Sequence, residues 1–537
     1  MTYFLSVALG ALTALPMVFD RLFFLPWLTL PVWLILILKS KAPYRHGLIW
    51  SLGYYFVVFS WLIELYPMDF AGFSNGMSVL IIFLGITVLT LSQSFLSAFM
   101  PLIYKKSAKY LPPAVTAILA GALWCLIEWI QTLPWFMVPW GKLALTQTFL
   151  LPEIQSASLL GSYFTGFLMM SFAGFIAAFF CEAISPGRPL RIEKSELRPV
   201  YGVIALIIFV SNTAFGVIKL SLPEKSGTKV TAAAIQGNIS SVDKWADGSV
   251  SRSLDIYSDL TKKAAGKGAR LIVWPESVIT ESLNRNNPVS SKIAALAAET
   301  GCDIAVGAFY TEGTGDNVTD FNAVYYYHPD GSVSENVYRK RHLVPFGEYV
   351  PMRPLIMKLF PFLGDINMFS ADVGRGTGTE LFTDERGTAG ALVCFDSIYP
   401  DLARQSAAEG ADIILLSTND SWYKDSTAVY QHNRHAALRA VETGRFIVRA
   451  ANTGVSSVID KNGRIKDTLP PLTDGFITGD VYYENTRTPY TLLGDVIVWF
   501  SAAFTAVCSI AAIIGAKKTK ERKNIQLNSQ KEEINER

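Results

Sequence analysis

Apolar residues gather at the two ends of this chain and thin out in its middle. Long apolar runs occupy 3–19, 22–38, 47–66, 78–104, 113–130, 160–183, 200–220 and 492–515. A helix needs about 20 mostly apolar residues to cross a bilayer, so the pattern predicts about eight spans. The first two runs are short and carry Pro16, Pro26 and Pro31, which predicts kinked or partly re-entrant helices there. From 221 to 490 the apolar residues fall into short blocks that predict strands near 229–235, 270–273, 303–308, 323–327, 390–395, 412–417, 446–450 and 456–459. Helical patterns lie between some of them, near 251–265, 290–300, 399–409 and 430–442, so a layered α/β domain is expected. The division is then a seven-span membrane domain at 1–220, an α/β domain at 221–490, a closing span at 491–516 and a charged tail at 517–537, expected to lack structure.

Basic residues orient the spans. Lys39, Lys41 and Arg45, then Lys105, Lys106 and Lys109, then Arg188, Arg191, Lys194 and Arg198, then Lys517 to Lys523 all follow even-numbered spans, whereas the alternate loops are nearly bare. Positive loops stay in the cytoplasm, so both termini are expected there and the α/β domain outside. Thr2 and Tyr3 leave no basic stretch of the kind that opens a cleavable signal peptide. Glu64 and Glu128 fall near span ends, where interfacial placement is expected.

Composition agrees with a membrane chain. Half of the 537 residues are hydrophobic, and the net charge of +2 gives no field for nucleic acid. The five cysteines, Cys125, Cys181, Cys302, Cys394 and Cys508, have no framework spacing. Neither a Cys-x-x-Cys pair, a His cluster nor a Gly-rich phosphate loop is present, so no metal or cofactor is expected.

Three stretches end an apolar run in a reactive group. Leu271-Ile272-Val273-Trp274-Pro275-Glu276 delivers a carboxylate, and Pro275 ends the strand pairing. Tyr338-Arg339-Lys340-Arg341-His342 is a basic cluster followed by Leu343-Val344-Pro345-Phe346-Gly347-Glu348. Gly390-Ala391-Leu392-Val393-Cys394-Phe395-Asp396 ends a buried strand in a thiol. Taken singly, each has a bland reading: a buried thiol, a helix-start carboxylate, a solvated charge run. Together they make chemistry, because a carboxylate can take the thiol proton while an ammonium favours the thiolate and an oxyanion.

The ordered set resembles the nitrilase, or carbon–nitrogen hydrolase, superfamily over about 230–484. Gln236-Gly237-Asn238, His342 to Glu348, Thr418-Asn419-Asp420-Ser421-Trp422, Gln431-His432, Arg439-Ala440, Glu442 and Arg445 narrow the likeness to the apolipoprotein N-acyltransferase family, as does the seven-plus-one plan of spans. The resemblance implies an αββα sandwich with Glu276 as base and acid, Lys340 stabilising oxyanion and thiolate, and Cys394 as nucleophile. It implies that Glu348 assists them and that Trp245 belongs to a mobile loop at the lipid entrance. Asp396 stands where that family often has Glu, which leaves its supporting role open. The substrates implied are a phospholipid acyl donor and a diacylglyceryl-modified apolipoprotein acceptor at the bacterial inner membrane. A membrane-anchored amidase acting with water on a soluble substrate shares the three residues and is the rival. The apolar stretch 350–370 is expected to form an arm that guides the acyl chain.

Overall fold

The computed structural model describes residues 2–68, 72–134, 138–180, 199–222, 227–240, 243–284, 287–359, 361 and 372–535. Its contacts divide the chain into two units: Met1–Ser60, Ile86–Lys219 and Asp495–Arg537 form one, and Trp61–Gly85 with Leu220–Gly494 form the other.

The first unit is helical. Among the described residues, six helices are long and apolar enough to cross a membrane: Pro43–Leu65, Asn75–Ala108, Pro113–Ile130, Ser162–Phe180, Pro199–Ser221 and Val496–Ile534. The first two expected spans are shorter helices, Thr2–Met17 and Leu25–Lys39. The physical reason is proline: Pro16 tightens the end of one into a 3-10 turn, and Pro26 opens the other. Small residues let helices approach, as lipid-embedded packing requires. A Cβ at Gly10 would collide with the Trp50 carbonyl, and one at Gly53 with the Val7 carbonyl.

Glu128 has a structural role beyond its place near a helix end. It lies two residues from the end of the helix Pro113–Ile130, is fully buried by protein, and accepts from Trp124 Nε1 (2.8 Å) and the Leu143 amide (2.8 Å). Leu143 begins a run of short helical pieces, Leu143–Gln147, Leu151–Ile154 and Ala157–Leu160. Irregular backbone away from water needs protein partners, and Glu128 supplies one to the Leu143 amide. The charged tail, expected without structure, continues the last helix to Asn535. Its Lys, Glu, Arg and Gln residues are strong helix formers. Cys181 and the basic loop at 188–198 lie outside the described residues.

The second unit is built on two sheets. Its strands are β1 (Thr228–Gln236), β2 (Leu271–Val273), β3 (Ile279–Ser282), β4 (Asp303–Glu312), β5 (Thr319–Tyr327), β6 (Tyr338–Arg339), β7 (Phe382–Asp384), β8 (Gly387–Val393), β9 (Ile413–Thr418), β10 (Phe446–Ala451), β11 (Ser456–Ile459), β12 (Ile465–Leu469) and β13 (Gly475–Tyr483). One sheet runs β13-β1-β2-β4-β5-β6 with β3 beside β4, and the other β12-β11-β10-β9-β8-β7. Strand alternation sends Val230, Ala232 and Ala234 of β1 into the core shared with Ala391 and Val393 of β8 and Leu415 of β9. Ala233 and Ile235 face the other way, toward Leu254 and Tyr257 of helix Ser249–Gly266. Helices Pro400–Glu409 and Thr427–Thr443 flank the second sheet, giving four layers, helix–sheet–sheet–helix. Within this unit Trp61 meets the Tyr423 ring edge-on, centroids 4.9 Å apart, and Lys424 Nζ donates to the Tyr66 carbonyl at 2.6 Å.

Candidate active site

The parallel strands β2, β8 and β9 all end toward one place, where α/β sheets gather their chemistry. Trp274 and Pro275 carry the chain off β2, and Glu276 follows. The turn packs so tightly on β4 that a Cβ at Gly307 would collide with the Pro275 carbonyl. Cys394 follows β8 directly with φ +48. A non-glycine residue there costs about 1–3 kcal/mol, which the surrounding bonds must hold. Cys394 is buried, with 8% of its surface exposed.

The three expected residues meet. Lys340 Nζ donates to Glu276 Oε1 at 2.8 Å, and Cys394 lies close enough to the pair for both charges to act on its thiol. The other Glu276 oxygen accepts from the Asn419 amide at 2.9 Å. Glu348 joins on the far side of the lysine: its Oε1 accepts from Lys340 Nζ at 3.0 Å and its Oε2 from the Val344 amide at 2.9 Å.

Burial and charge set the protonation states. Burial drives the Cys394 thiol well above its ordinary value, Glu276 adds to that, and Lys340 opposes it. Burial also pushes Glu276 upward, but the Lys340 ammonium beside it wins and holds the carboxyl below its usual range. Burial would strip the Lys340 proton, but Glu276 and Glu348 keep it firmly charged. The resting site is therefore a protonated thiol facing an ionised carboxylate, with a fixed cation between two carboxylates.

Asp396 gains a clear position. Fully buried, it accepts from the amides of Arg341 (3.3 Å), His342 (2.7 Å) and Val393 (3.1 Å) and from the Tyr338 hydroxyl (2.9 Å). It thus ties the chain around Lys340 to the strand that carries Cys394. Burial raises its carboxyl to about 6.

Trp245 is 60% exposed, in the short turn Asp243–Trp245, with its ring 6.0 Å from Phe309. Of the apolar stretch 350–370, Met352, Leu355 and Leu359 are exposed on and just before the helix Arg353–Leu359. Phe360 and Phe362 lie outside the described residues.

Sequence reasoning missed two partners. Asn322 Nδ2 donates to Glu276 Oε1 (2.6 Å) and Glu348 Oε1 (3.0 Å), bridging both carboxylates. It shares a strand face with Val324 and Tyr326, which point between the sheets, so a polar residue in that register was the available signal. Lys244, buried beside Trp245, donates to Ser277 Oγ (2.7 Å) and the Glu276 carbonyl (3.3 Å). Burial lowers its ammonium to about 8. A run of Asp-Lys-Trp in a polar loop gives no hint that its lysine turns inward.

Two facing sheets between helix layers, with thiol, ammonium and carboxylate at the strand ends, define a nitrilase-like α/β domain. The carbon–nitrogen hydrolase family matches residues 231–488, and the apolipoprotein N-acyltransferase N-terminal domain matches residues 9–175. The apolipoprotein N-acyltransferase of Geobacter metallireducens is 32% identical over 74% of this chain and 74% of its own. That of Gloeobacter violaceus is 28% identical over 89% of each. An amidase from Nesterenkonia sp. of known structure overlaps 49% of this chain and 95% of its own at 19% identity and a TM-score of 0.37. The chain belongs to the apolipoprotein N-acyltransferase family.

Proposed function

We propose that this acyltransferase moves a fatty acyl chain from a phospholipid to the α-amine of a diacylglyceryl-cysteine on an apolipoprotein, through a thioester on Cys394. Glu276 takes the thiol proton as sulfur attacks the ester carbonyl. The C–S bond forms, Lys340 faces the developing oxyanion, and the C–O bond breaks as Glu276 returns the proton to the glycerol oxygen. The amine then attacks the thioester: C–N forms, C–S breaks, and Glu276 passes the amine proton to sulfur. Glu348 and Asn322 hold the Lys340–Glu276 pair. Asp396 holds the backbone on which Lys340 and Cys394 sit.

One observation carries the reading: the Lys340 ammonium and the Glu276 carboxylate are paired at 2.8 Å, and both charges act on the buried Cys394 thiol. The membrane-domain match at 9–175 favours transfer between lipids over hydrolysis of a soluble amide. Loop charges support an inner-membrane setting with cytoplasmic termini, residues 1–220 and 491–516 in the bilayer, and residues 221–490 as the extracytoplasmic catalytic domain. Exposed Trp245, Met352, Leu355 and Leu359 suit a surface that receives acyl chains.

Mass spectrometry of the full chain after incubation with phospholipid tests this. An acyl mass on Cys394 that disappears on adding a diacylglyceryl lipopeptide, with N-acylated lipopeptide formed, is expected. Release of free fatty acid in place of acylated lipopeptide would overturn it in favour of hydrolysis.

A further inference from the structure

Behind Cys394, away from Glu276 and Lys340, lies a second set of charged groups that the chemistry above does not use. His432, on the helix Thr427–Thr443, places Nδ1 2.8 Å from Asp420 Oδ1 and Nε2 3.0 Å from the Cys394 carbonyl oxygen. Ser397 Oγ also lies 3.0 Å from Nε2. Arg449, on β10, donates from Nη2 to Asp420 Oδ2 at 2.7 Å. His432, Asp420 and Arg449 are each almost wholly buried. The Cys394 sulfur, an Asp420 oxygen and a His432 nitrogen all lie within 4.8 Å of one another.

The donors and acceptors can be counted. Burial pushes the Asp420 carboxyl up, but Arg449 and His432 bring it down to about 2, so it is an acceptor only. A bare ring nitrogen cannot sit 2.8 Å from a carboxylate oxygen, so Nδ1 carries hydrogen. Arg449 Nη2 passes 3.2 Å from Nδ1, but its shorter bond goes to the carboxylate. At the other nitrogen, the Cys394 carbonyl accepts only. The Ser397 hydroxyl donates its single hydrogen to that same carbonyl at 2.8 Å, so it too can only accept from Nε2. Both ring nitrogens therefore donate. A Cβ at Gly454 would collide with the Asp420 carboxylate, so glycine there is what lets Asp420 reach this place.

We propose that His432 stands as an imidazolium clamped between the Asp420 carboxylate and the Cys394 carbonyl, a positioning residue that fixes the strained Cys394 turn and lends positive charge to its thiolate. The groups facing the ring are Asp420 from the turn after β9, Arg449 from β10 and Cys394 itself, with Glu276 and Lys340 across the sulfur. Asp420 by itself opposes the thiolate, and in this cluster it stands as one carboxylate against two cations, Arg449 and the imidazolium.

The inference rests on Cys394 being the nucleophile, and two measurements keep the claims apart. The first reads the ring in the wild-type full chain in bilayers by ¹⁵N-histidine spectroscopy. Only five histidines are present, and Nε2 of His432 is picked out by transfer to ¹³C-carbonyl-labelled cysteine. Two protonated ring nitrogens near neutral pH are expected; one bare nitrogen overturns the proposal. The second follows iodoacetamide alkylation of Cys394 against pH, resolved by mass spectrometry, in wild type and His432→Gln. Glutamine can still donate to the carbonyl but carries no charge. The alkylation profile should move about one pH unit upward, so the rate near neutrality falls about tenfold. An unmoved profile in a variant that melts with wild type overturns the charge role. Should His432→Gln fail to fold, the ring spectrum decides alone. A wild-type Cys394 that never alkylates, beside a doubly protonated ring, would instead overturn the nucleophile reading.

Discussion

Cys394 is held between two charged clusters that differ in their balance. In front, the Lys340 ammonium serves two carboxylates, Glu276 and Glu348, and Asn322 bridges both. Behind, the single Asp420 carboxylate serves Arg449 and the ring of His432. A buried carboxylate that shares its cation keeps capacity to take a proton; one gripped from both sides does not. The comparison teaches which cluster can exchange protons with substrate and which can only hold the backbone, although both are buried and both contain a carboxylate–cation pair.

Removing the atom between the clusters has the largest expected effect. Cys394→Ser should reduce lipopeptide N-acylation to background, a loss of at least about 10³-fold, with no covalent acyl mass on the chain. Activity within tenfold of wild type would mean that neither cluster serves this sulfur.

Next comes the front cation. Lys340→Met should cost about 10²–10³-fold in kcat/KM, the scale of losing one oxyanion donor. Lys340→Arg should not rescue it, because a planar fork cannot replace a compact ammonium held between Glu276 and Glu348. Full rescue by arginine would show that the front cluster needs only charge. Glu348→Gln keeps a partner for Lys340 and the Val344 amide yet removes one carboxylate. A milder loss of about tenfold is expected, measured as kcat/KM with phospholipid and lipopeptide.

Much of this was legible because apolar runs mark strand ends. Leu271 to Val273 and Gly390 to Val393 are continuous apolar runs buried on both faces, and the residues just after them are Glu276 and Cys394. The back cluster was present in the motifs around Asp420 and His432 but had no assigned role. Its meaning depends on the turn after β9 and on β10 converging on one ring carried by the helix Thr427–Thr443. Asn322 and Lys244 were missed for the same reason: nothing local distinguishes a polar residue that turns inward. The bond from the Leu143 amide to Glu128 was not foreseen, because position along a span says nothing about whether an irregular neighbour needs an acceptor. The tail was read as unstructured from charge alone, although its residues favour helix.

The smallest expected effect sharpens the comparison from behind. Asp420 is held near 2 by Arg449 and His432 despite burial, below its ordinary value of 3.8. A carboxylate depressed in the folded state adds stability above its unfolded value, and that stability is lost as pH falls toward the folded one. Asp420→Asn should therefore melt below wild type near neutrality, by the few degrees that about 2 kcal/mol gives in a chain of this size. The gap between the two should begin to close as pH drops through about 4 and narrow further toward 2. Glu276→Gln provides the contrast. Glu276 is depressed too, against the same opposing burial, so its removal should also lower melting near neutrality, but here turnover is abolished as well. If Asp420→Asn likewise abolished turnover at all pH values, then the back cluster would be chemical and not positional. The distinction between gripped and shared carboxylates would then fail.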